Sequence, residues 1–368
     1  MSNRVCRWGI LSAANIARKN WRAIYNAENA VVTAVASRSR DKAQQFIDEC
    51  QAHSSFDSKP IALGSYEELL AHPEIDAVYI PNPTGLRKEW VIRAAEAGKH
   101  VLAEKPVGRD SAEVVKMIEA CKTHKVQFMD GVMFMHSLRL NKLRETLNDS
   151  HSIGQLKRIA SHFSFAATED FAQNNIRVSG ELEPLGCLGD LGWYNIRFSL
   201  WVMGYQMPLR VSGRMLTEAR RADSGASVPS EFSGELFFAD GVSASFYCSF
   251  LTETQQWANV GGTKGYVDVR DFVVPYYGNE VAFTVTNAGL NQKSCDFHME
   301  DHTRRVAIPE YSDGWINSQE TNLFRNFSHL VLSGKIDERW PEIALKTQQV
   351  VDACLRSARK NGELVQLS

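Results

Sequence analysis

The first 130 residues alternate short apolar runs with amphipathic stretches at helical spacing. The runs 5–11, 31–36 (VVTAVA), 61–63, 77–80 (AVYI), 101–103 and 126–129 predict six strands, and few polar residues interrupt them, as expected when both faces of a sheet are covered. Between them the spacing predicts helices over 16–27 and 41–50. A short helix follows the Ser65/Glu68 capping box, another runs from a Thr84 cap to Ala97 and is closed by Gly98, and a third runs from the Asp110/Glu113 capping box to Thr123. Strand and helix in strict alternation predict a doubly wound parallel sheet.

After residue 131 the periodicity changes. A helical stretch at 139–147 is followed by strand-like runs at 155–165 and 234–238. FFADGVSASFYCSF places Asp240-Gly241 between two such runs, a strong hairpin signal, and QWANVGGTKGYVDVRDFVV predicts a second hairpin turning at 263–265. Residues 218–232 read as a polar loop and 342–360 as a long amphipathic helix. The second half is therefore an α+β region built on antiparallel sheet. Because 368 residues exceed what one core usually fills, two domains are expected, 1–131 and 132–368, with the last helix a candidate to pack back on the first.

Composition narrows the class. The chain is 44% hydrophobic and 23% charged with a net charge of −2, which offers neither a basic surface for nucleic acid nor an acidic tail. No run approaches the ~18 apolar residues of a membrane span. MSNRVCRWGI lacks the sections of a signal peptide, and the seven cysteines are scattered without a CxxC. A cytoplasmic protein with reduced, mostly core thiols is expected. No metal site is expected among the dispersed histidines.

Ligands of a doubly wound sheet bind beyond the carboxyl ends of its strands. At those ends the chain places Ser12-Ala13-Ala14-Asn15-Ile16-Ala17, then Ser37-Arg38, Pro81-Asn82-Pro83-Thr84, Glu104-Lys105-Pro106 and Asp130-Gly131. Ser12, Ala14 and Ala17 stand where a dinucleotide fingerprint, G-x-G-x-x-G/A, has its glycines. Small residues still admit a phosphate, provided φ stays negative, and the helix N-terminus adds free N–H groups and a positive dipole end. A plain strand–helix turn fits the same six residues. The second strand ends in a hydroxyl and a guanidinium rather than the carboxylate that holds the ribose of NAD. Arg38 suits a 2′-phosphate, so NADP is expected over NAD. The candidate cofactor contacts are residues 12–16 (Ser12, Ala13, Ala14, Asn15, Ile16), Ser37, Arg38, Pro81, Asn82, Thr84, Glu104 and Lys105.

AGKHVLAEKPVG, with WGILSAANIA, AVASRSRDKA and YEELLAHPEIDAVYIPNPT, resembles the signature of the glucose–fructose oxidoreductase/inositol dehydrogenase (Gfo/Idh/MocA) family of NAD(P)-dependent sugar and polyol dehydrogenases. GCLGDLGWYNI, residues 186–196, resembles the family's D-x-G-x-[HY] segment. The tyrosine in that segment and the tryptophan before the first turn resemble members that oxidise dihydrodiols or xylose. The resemblance spans nearly the whole chain. It implies a Rossmann domain followed by a domain with a large open antiparallel sheet, whose back face often forms a dimer contact, so a homodimer is expected. It implies that Lys105 reaches the substrate hydroxyl and the nicotinamide ribose, that Tyr194 is the acid/base, that Asp190 matches the family aspartate, and that Glu104 and Pro106 shape the loop under the nicotinamide.

Alcohol oxidation removes a hydride from carbon and a proton from oxygen, and the protein handles the proton. A phenol titrates near 10, and a neighbouring ammonium such as Lys105 favours the phenolate. Asp190 and Tyr194, at i and i+4, share one face of a helix. Two positions depart from the family pattern: Arg87 stands where a histidine is common, and His136 falls where an arginine is common. Both are expected to face the substrate, as is Arg177 in the loop before the catalytic segment. The expected activity is NADP-dependent hydride transfer to or from a CH–OH carbon of a small sugar, polyol or vicinal diol. The missing glycines leave two other readings open: a non-catalytic, cofactor-sensing homologue, and an enzyme that retains its cofactor for internal redox.

Overall fold

The computed structural model describes residues 4–367. In chain order the elements are β1 (Cys6–Leu11), α1 (Asn15–Asn26), β2 (Ala30–Ala36), α2 (Arg40–His53), β3 (Ile61–Leu63), α3 (Tyr66–Ala71), β4 (Ala77–Ile80), α4 (Thr84–Glu96), β5 (His100–Ala103), α5 (Ser111–Thr123), β6 (Phe128–Asp130), α6 (Arg139–Asn148), β7 (Leu156–Ser164), α7 (Glu169–Asn174) and α8 (Trp193–Val202). There follow β8 (Arg210–Ala219), β9 (Val228–Phe237), β10 (Ser243–Ser249), β11 (Gln255–Gly262), β12 (Tyr266–Val269), β13 (Glu280–Thr286), β14 (Gly289–Lys293), β15 (Asp296–Glu300), β16 (Thr303–Pro309), α9 (Gln319–Ser333), α10 (Arg339–Ala358) and β17 (Val365–Gln366).

Two compact units divide this chain, and no single cut separates them. The first comprises the chain up to Ser137 together with Ser179–Pro184 and Tyr311–Gln349; the second comprises Leu138–Val178, Leu185–Glu310 and the chain from Val350. Residues 179–184 and 311–349, which the sequence assigns to the second domain, thus belong with the first.

In the first unit six strands pair in the order β3-β2-β1-β4-β5-β6, every pairing parallel. The order reverses between β1 and β4, which makes the carboxyl end there the switch point where such sheets bind ligands. The central strands β1, β4 and β5 are short and almost wholly buried, as their unbroken apolar runs predict, while the edge strand β3 leaves Ile61 exposed. The helix that returns to this sheet from the distant part of the chain is α9. Trp8 of β1 lies between its Phe324 and Phe327, with ring centroids at 5.1 and 5.2 Å, and the indole N–H donates to Ser328 Oγ at 3.0 Å. Of α10, residues 339–349 also belong to this unit.

The two capping boxes form as the spacing predicts. Ser65 Oγ accepts from the Glu68 N–H at 3.2 Å, and Asp110 Oδ1 from the Glu113 N–H at 2.9 Å. Thr84 does not cap α4. Pro83 is the N-cap and offers no side-chain acceptor, so Glu183 fills the place from 99 residues away. Its carboxylate accepts the Thr84 N–H at 3.0 Å and the Thr84 hydroxyl at 2.5 Å. A carboxylate suits the positive end of a helix dipole.

The second unit is built on a nine-stranded sheet in the order β16-β13-β12-β11-β7-β10-β9-β8-β17. Its pairings are antiparallel except that of β7 with β10, so the sheet is mixed, mostly antiparallel. Asp240 and Gly241 turn the chain between β9 and β10 with φ of 58° and 71°, the left-handed region that Asp and Gly tolerate. The polar loop expected at 218–232 is shorter, residues 220–227, and strand takes both of its ends. β8 runs to Ala219 and β9 starts at Val228, because VPSEFSGELF has strand partners on both sides and puts Phe232 and Leu236 in the core. Six of the seven cysteines are buried, and among the described residues no helix is long and apolar enough to cross a membrane.

Candidate functional site

At the end of β1, Ser12 adopts φ of 125°, a conformation that glycine takes freely and other residues rarely. The expected negative φ holds at Ala14 (−73°) but not at Ser12, whose N–H donates to Ala36 O at 2.9 Å and so continues the pairing of β1 with β2. Ser12, in the place of the first fingerprint glycine, thus has a φ that favours glycine. Such strain costs about 1–3 kcal/mol. Ser12→Gly is expected to raise stability by about 1 kcal/mol in thermal or denaturant unfolding; a loss would mean that the serine side chain holds the turn.

Beyond Ser12 the chain enters α1 through Ala13 and Ala14. No side chain caps this helix, and no acidic residue lies in its first turn. Asn15 and Ile16 thus begin a helix whose positive end is open to an anion. At the end of β2, Ser37 is buried, with its N–H on Leu63 O at 3.3 Å. Arg38 is exposed and makes no hydrogen bond or ion pair among the described residues. At the end of β4, Pro81 and Asn82 are buried, and Asn82 Oδ1 has no hydrogen-bond donor among the described residues. Thr84 is fully buried with its hydroxyl committed to Glu183, so its side chain presents no surface to a cofactor.

Glu104 and Lys105 follow β5, both partly exposed, and the Lys105–Pro106 peptide bond is cis. Glu104 is held from beneath by a buried chain: Asn20 Nδ2 of α1 donates to the Tyr79 hydroxyl at 2.7 Å, which donates to Glu104 Oε1 at 2.6 Å. Burial, and then the Glu104 charge, push the Tyr79 phenol well above its ordinary pKa, so it stays a donor. A Cβ on Gly131 would stand 3.2 Å from Glu104 Oε1, and glycine leaves that space clear. Asn20 and Tyr79 are not among the residues that the sequence motifs single out. The signal was a tyrosine in the otherwise apolar run AVYI, whose hydroxyl needs a partner once buried.

Two expectations about substrate-facing residues are corrected. Arg87 is 2% exposed and points at main-chain carbonyls of its own unit rather than outward. His136 is 6% exposed, its ring stacked on Trp340 at 4.8 Å and its Nδ1 3.0 Å from Asn326 Nδ2. Its ring thus packs on Trp340 and its Nδ1 faces an amide.

In the second unit, Asp190 sits in a π-helical turn, Leu188–Gly192, that runs into α8. Just before it, a Cβ at Gly186, whose φ is 48°, would meet Pro229 O at 2.1 Å, and within it a Cβ at Gly192 would stand 3.0 Å from Leu188 Cδ1. Single π-turns within helices recur at functional sites. Asp190 accepts an ion pair from Arg177 Nε at 2.8 Å. Tyr194, 6% exposed, is the second residue of α8 and meets the Phe163 ring edge-on at 5.8 Å. Here the structure brings Arg177 and Asp190 together. The HMEDH spacing of His298 and His302 is a pattern that counting dispersed histidines misses. Both flank Glu300, at 3.8 and 2.9 Å, but they are exposed, and among the described residues no group of three or more His, Cys, Asp or Glu is arranged to hold a metal.

The first unit fits a dinucleotide on its own evidence. A glycine-like turn precedes an uncapped helix, an orphaned acceptor lies at Asn82, and an unpaired guanidinium stands at the end of β2.

Comparison with known proteins agrees. Residues 6–132 match the GFO_IDH_MocA family, described as an oxidoreductase family with an NAD-binding Rossmann fold, and residues 141–268 match the GFO/IDH/MocA C-terminal domain. The chain is 30% identical to a trans-1,2-dihydrobenzene-1,2-diol dehydrogenase of Mus musculus over 73% of its length and 76% of that protein's. It is 31% identical to D-xylose 1-dehydrogenase (NADP(+)) 2 of Haloferax volcanii over 72% and 75%. Among solved structures, a 3-ketoreductase from Actinomadura kijaniata in complex with NADP and TDP-benzene is similar with a TM-score of 0.79 at 25% identity, covering 96% of this chain and 98% of that one.

Proposed function

Because the chain belongs to the Gfo/Idh/MocA family of NAD(P)-dependent oxidoreductases, we propose that it uses NADP to oxidise or reduce a CH–OH carbon of a sugar, polyol or vicinal diol. The observation that carries the NADP reading is the exposed, unpaired Arg38 beside the uncapped N-terminus of α1. The names of the xylose dehydrogenase and the 3-ketoreductase complex, both of which include NADP, support it. The substrate class is supported by the diol, xylose and nucleotide-linked chemistry in the relatives' names.

The dinucleotide, when bound, supplies the hydride chemistry. Ser12, Ala13 and the N-terminus of α1 would hold its pyrophosphate, Ser37 and Arg38 its adenosine end, and Asn82 and Glu104 its nicotinamide end. Tyr194 takes the hydroxyl proton in oxidation and returns it in reduction. Lys105 donates to the substrate oxygen, and its charge favours the developing alkoxide. Asp190 orients the donors around the hydroxyl, and Arg177 fixes Asp190.

Quenching of intrinsic fluorescence by NADPH, followed by a screen of NADP⁺ reduction over sugars, polyols and dihydrodiols, tests the proposal. Binding at micromolar NADPH and turnover of a member of that class are expected. Absence of binding favours the non-catalytic homologue. Absorbance near 340 nm that persists in purified, reduced protein favours a retained cofactor. The proposal includes a second copy of the chain. His162, Tyr247 and Trp257 are lateral neighbours on β7, β10 and β11, with rings 4.8 and 5.8 Å apart, and they form an aromatic row suited to a matching row. Sedimentation at the monomer mass would remove this part.

A further inference from the structure

We propose that Arg87 is a positioning residue for the reaction: its guanidinium ties the loop after β4 to the loop after β5 and so sets where Lys105 stands. The inference rests on the function proposed above, and its evidence lies wholly within the first unit.

Arg87 is buried at the second turn of α4. One terminal nitrogen, Nη2, donates to Asn82 O at 2.5 Å. The other, Nη1, donates to Pro106 O and, at 3.2 Å, to Thr84 Oγ1. Asn82 follows β4 and Pro106 follows β5, and these strands are neighbours in the sheet. Pro106 is the residue next to Lys105. One planar side chain thus spans the two loops that carry Asn82, Glu104 and Lys105.

A helix that only needed an end-cap would not require this. Glu183 already satisfies the first N–H of α4. Nor is Arg87 half of an ion pair: it forms none among the described residues, and burial draws its pKa below the ordinary value despite the charges of Glu183 and Glu104. A cation without a salt-bridge partner is expensive to bury. Main-chain carbonyls are the partners this structure provides, and they belong to the loops where geometry matters most for hydride and proton transfer. The chemistry also explains why arginine stands here. Two carbonyls on separate loops are bridged by a rigid fork of donors, whereas a lysine ammonium is a single point on a flexible stem.

The test compares wild type with Arg87→Lys, which keeps the charge, and Arg87→Met, which keeps the bulk but no donor. In the apo protein, amide exchange read by mass spectrometry should quicken in peptides covering 81–84 and 104–108 of Arg87→Lys, and leave those covering β2 and α2 unchanged. With the alcohol found by screening, kcat for NADP⁺ reduction, per cofactor site counted by NADPH titration, should fall about 10- to 100-fold, as for an ångström-scale misplacement. KM for NADP⁺ should change less than about threefold, and the primary deuterium isotope effect on kcat should rise. Arg87→Met should lose at least as much. Unchanged loop exchange, or a wild-type kcat per cofactor site in Arg87→Lys, overturns the proposal; so does exchange that quickens uniformly across the unit, which marks a purely structural residue. If wild type turns over no alcohol, the proposed function fails, and the exchange measurement still decides whether Arg87 fixes the Lys105 loop.

Discussion

Replacing Tyr194 by phenylalanine is expected to lower turnover by about 10²–10⁴-fold, the usual contribution of a general acid–base group, while leaving NADPH affinity within about twofold. The substitution removes one oxygen and keeps the ring, so the edge-on contact with Phe163 at 5.8 Å survives and the fold should hold. Position supports the assignment. Tyr194 is the second residue of α8, which follows a π-turn directly, and the carboxylate in that turn is held by Arg177 at 2.8 Å. A turn that departs from regular helix and spends an ion pair on fixing one carboxylate is a poor choice for packing alone and a good one for placing donors. The measurement is single-turnover reduction of NADP⁺ with the best alcohol from the screen, beside an NADPH titration of the same preparation. A variant that binds NADPH and oxidises at the wild-type rate would take the proton-handling role away from Tyr194. One that fails to bind NADPH would mean that the substitution damaged more than proton transfer, and Lys105→Met would then be the cleaner probe.

Much of this was legible in the sequence because it depends on local chemistry. The six parallel strands announce themselves as unbroken apolar runs, and the Ser65 and Asp110 capping boxes need only a three-residue spacing. The residues at the strand ends follow from the topology. What escaped depends on partners far away along the chain. Glu183 caps α4 across 99 residues, and α9 closes the core over Trp8 across 320. No window around Thr84 or Trp8 contains that information. Arg87 and His136 were misplaced for a related reason: a polar residue near a sheet edge reads as ligand-facing, and only the three-dimensional packing shows that carbonyls at Asn82 and Pro106, or the ring of Trp340, have already claimed it. Ser12 is the converse case. Its residue type argues against a positive φ, and the structure has one where the chain leaves β1 for α1.

Arg38→Ala should weaken NADPH about 10- to 100-fold and NADH by less than about threefold. A charge-assisted hydrogen bond contributes about 1.5–3 kcal/mol, and tenfold in affinity is about 1.4 kcal/mol. The two cofactors differ only in the 2′-phosphate, so the ratio of their losses isolates that group from everything else the side chain does. Arg38 is suited to the contact because none of the described residues competes for it: it is exposed and makes no hydrogen bond or ion pair with them, just after a β2 whose last residues carry no carboxylate to claim a ribose. Arg38→Lys should fall between the two, since an ammonium keeps the charge and loses the bidentate geometry. Exposure also predicts a salt effect. Charges in contact with solvent are screened over roughly 10 Å at 0.1 M salt, so the wild-type preference for NADPH should shrink as sodium chloride rises and the variant's should stay flat. Equal losses for the two cofactors would instead place Arg38 against the adenine ring, a stacking contact that NADH and NADPH share, and would end the argument for NADP from this residue.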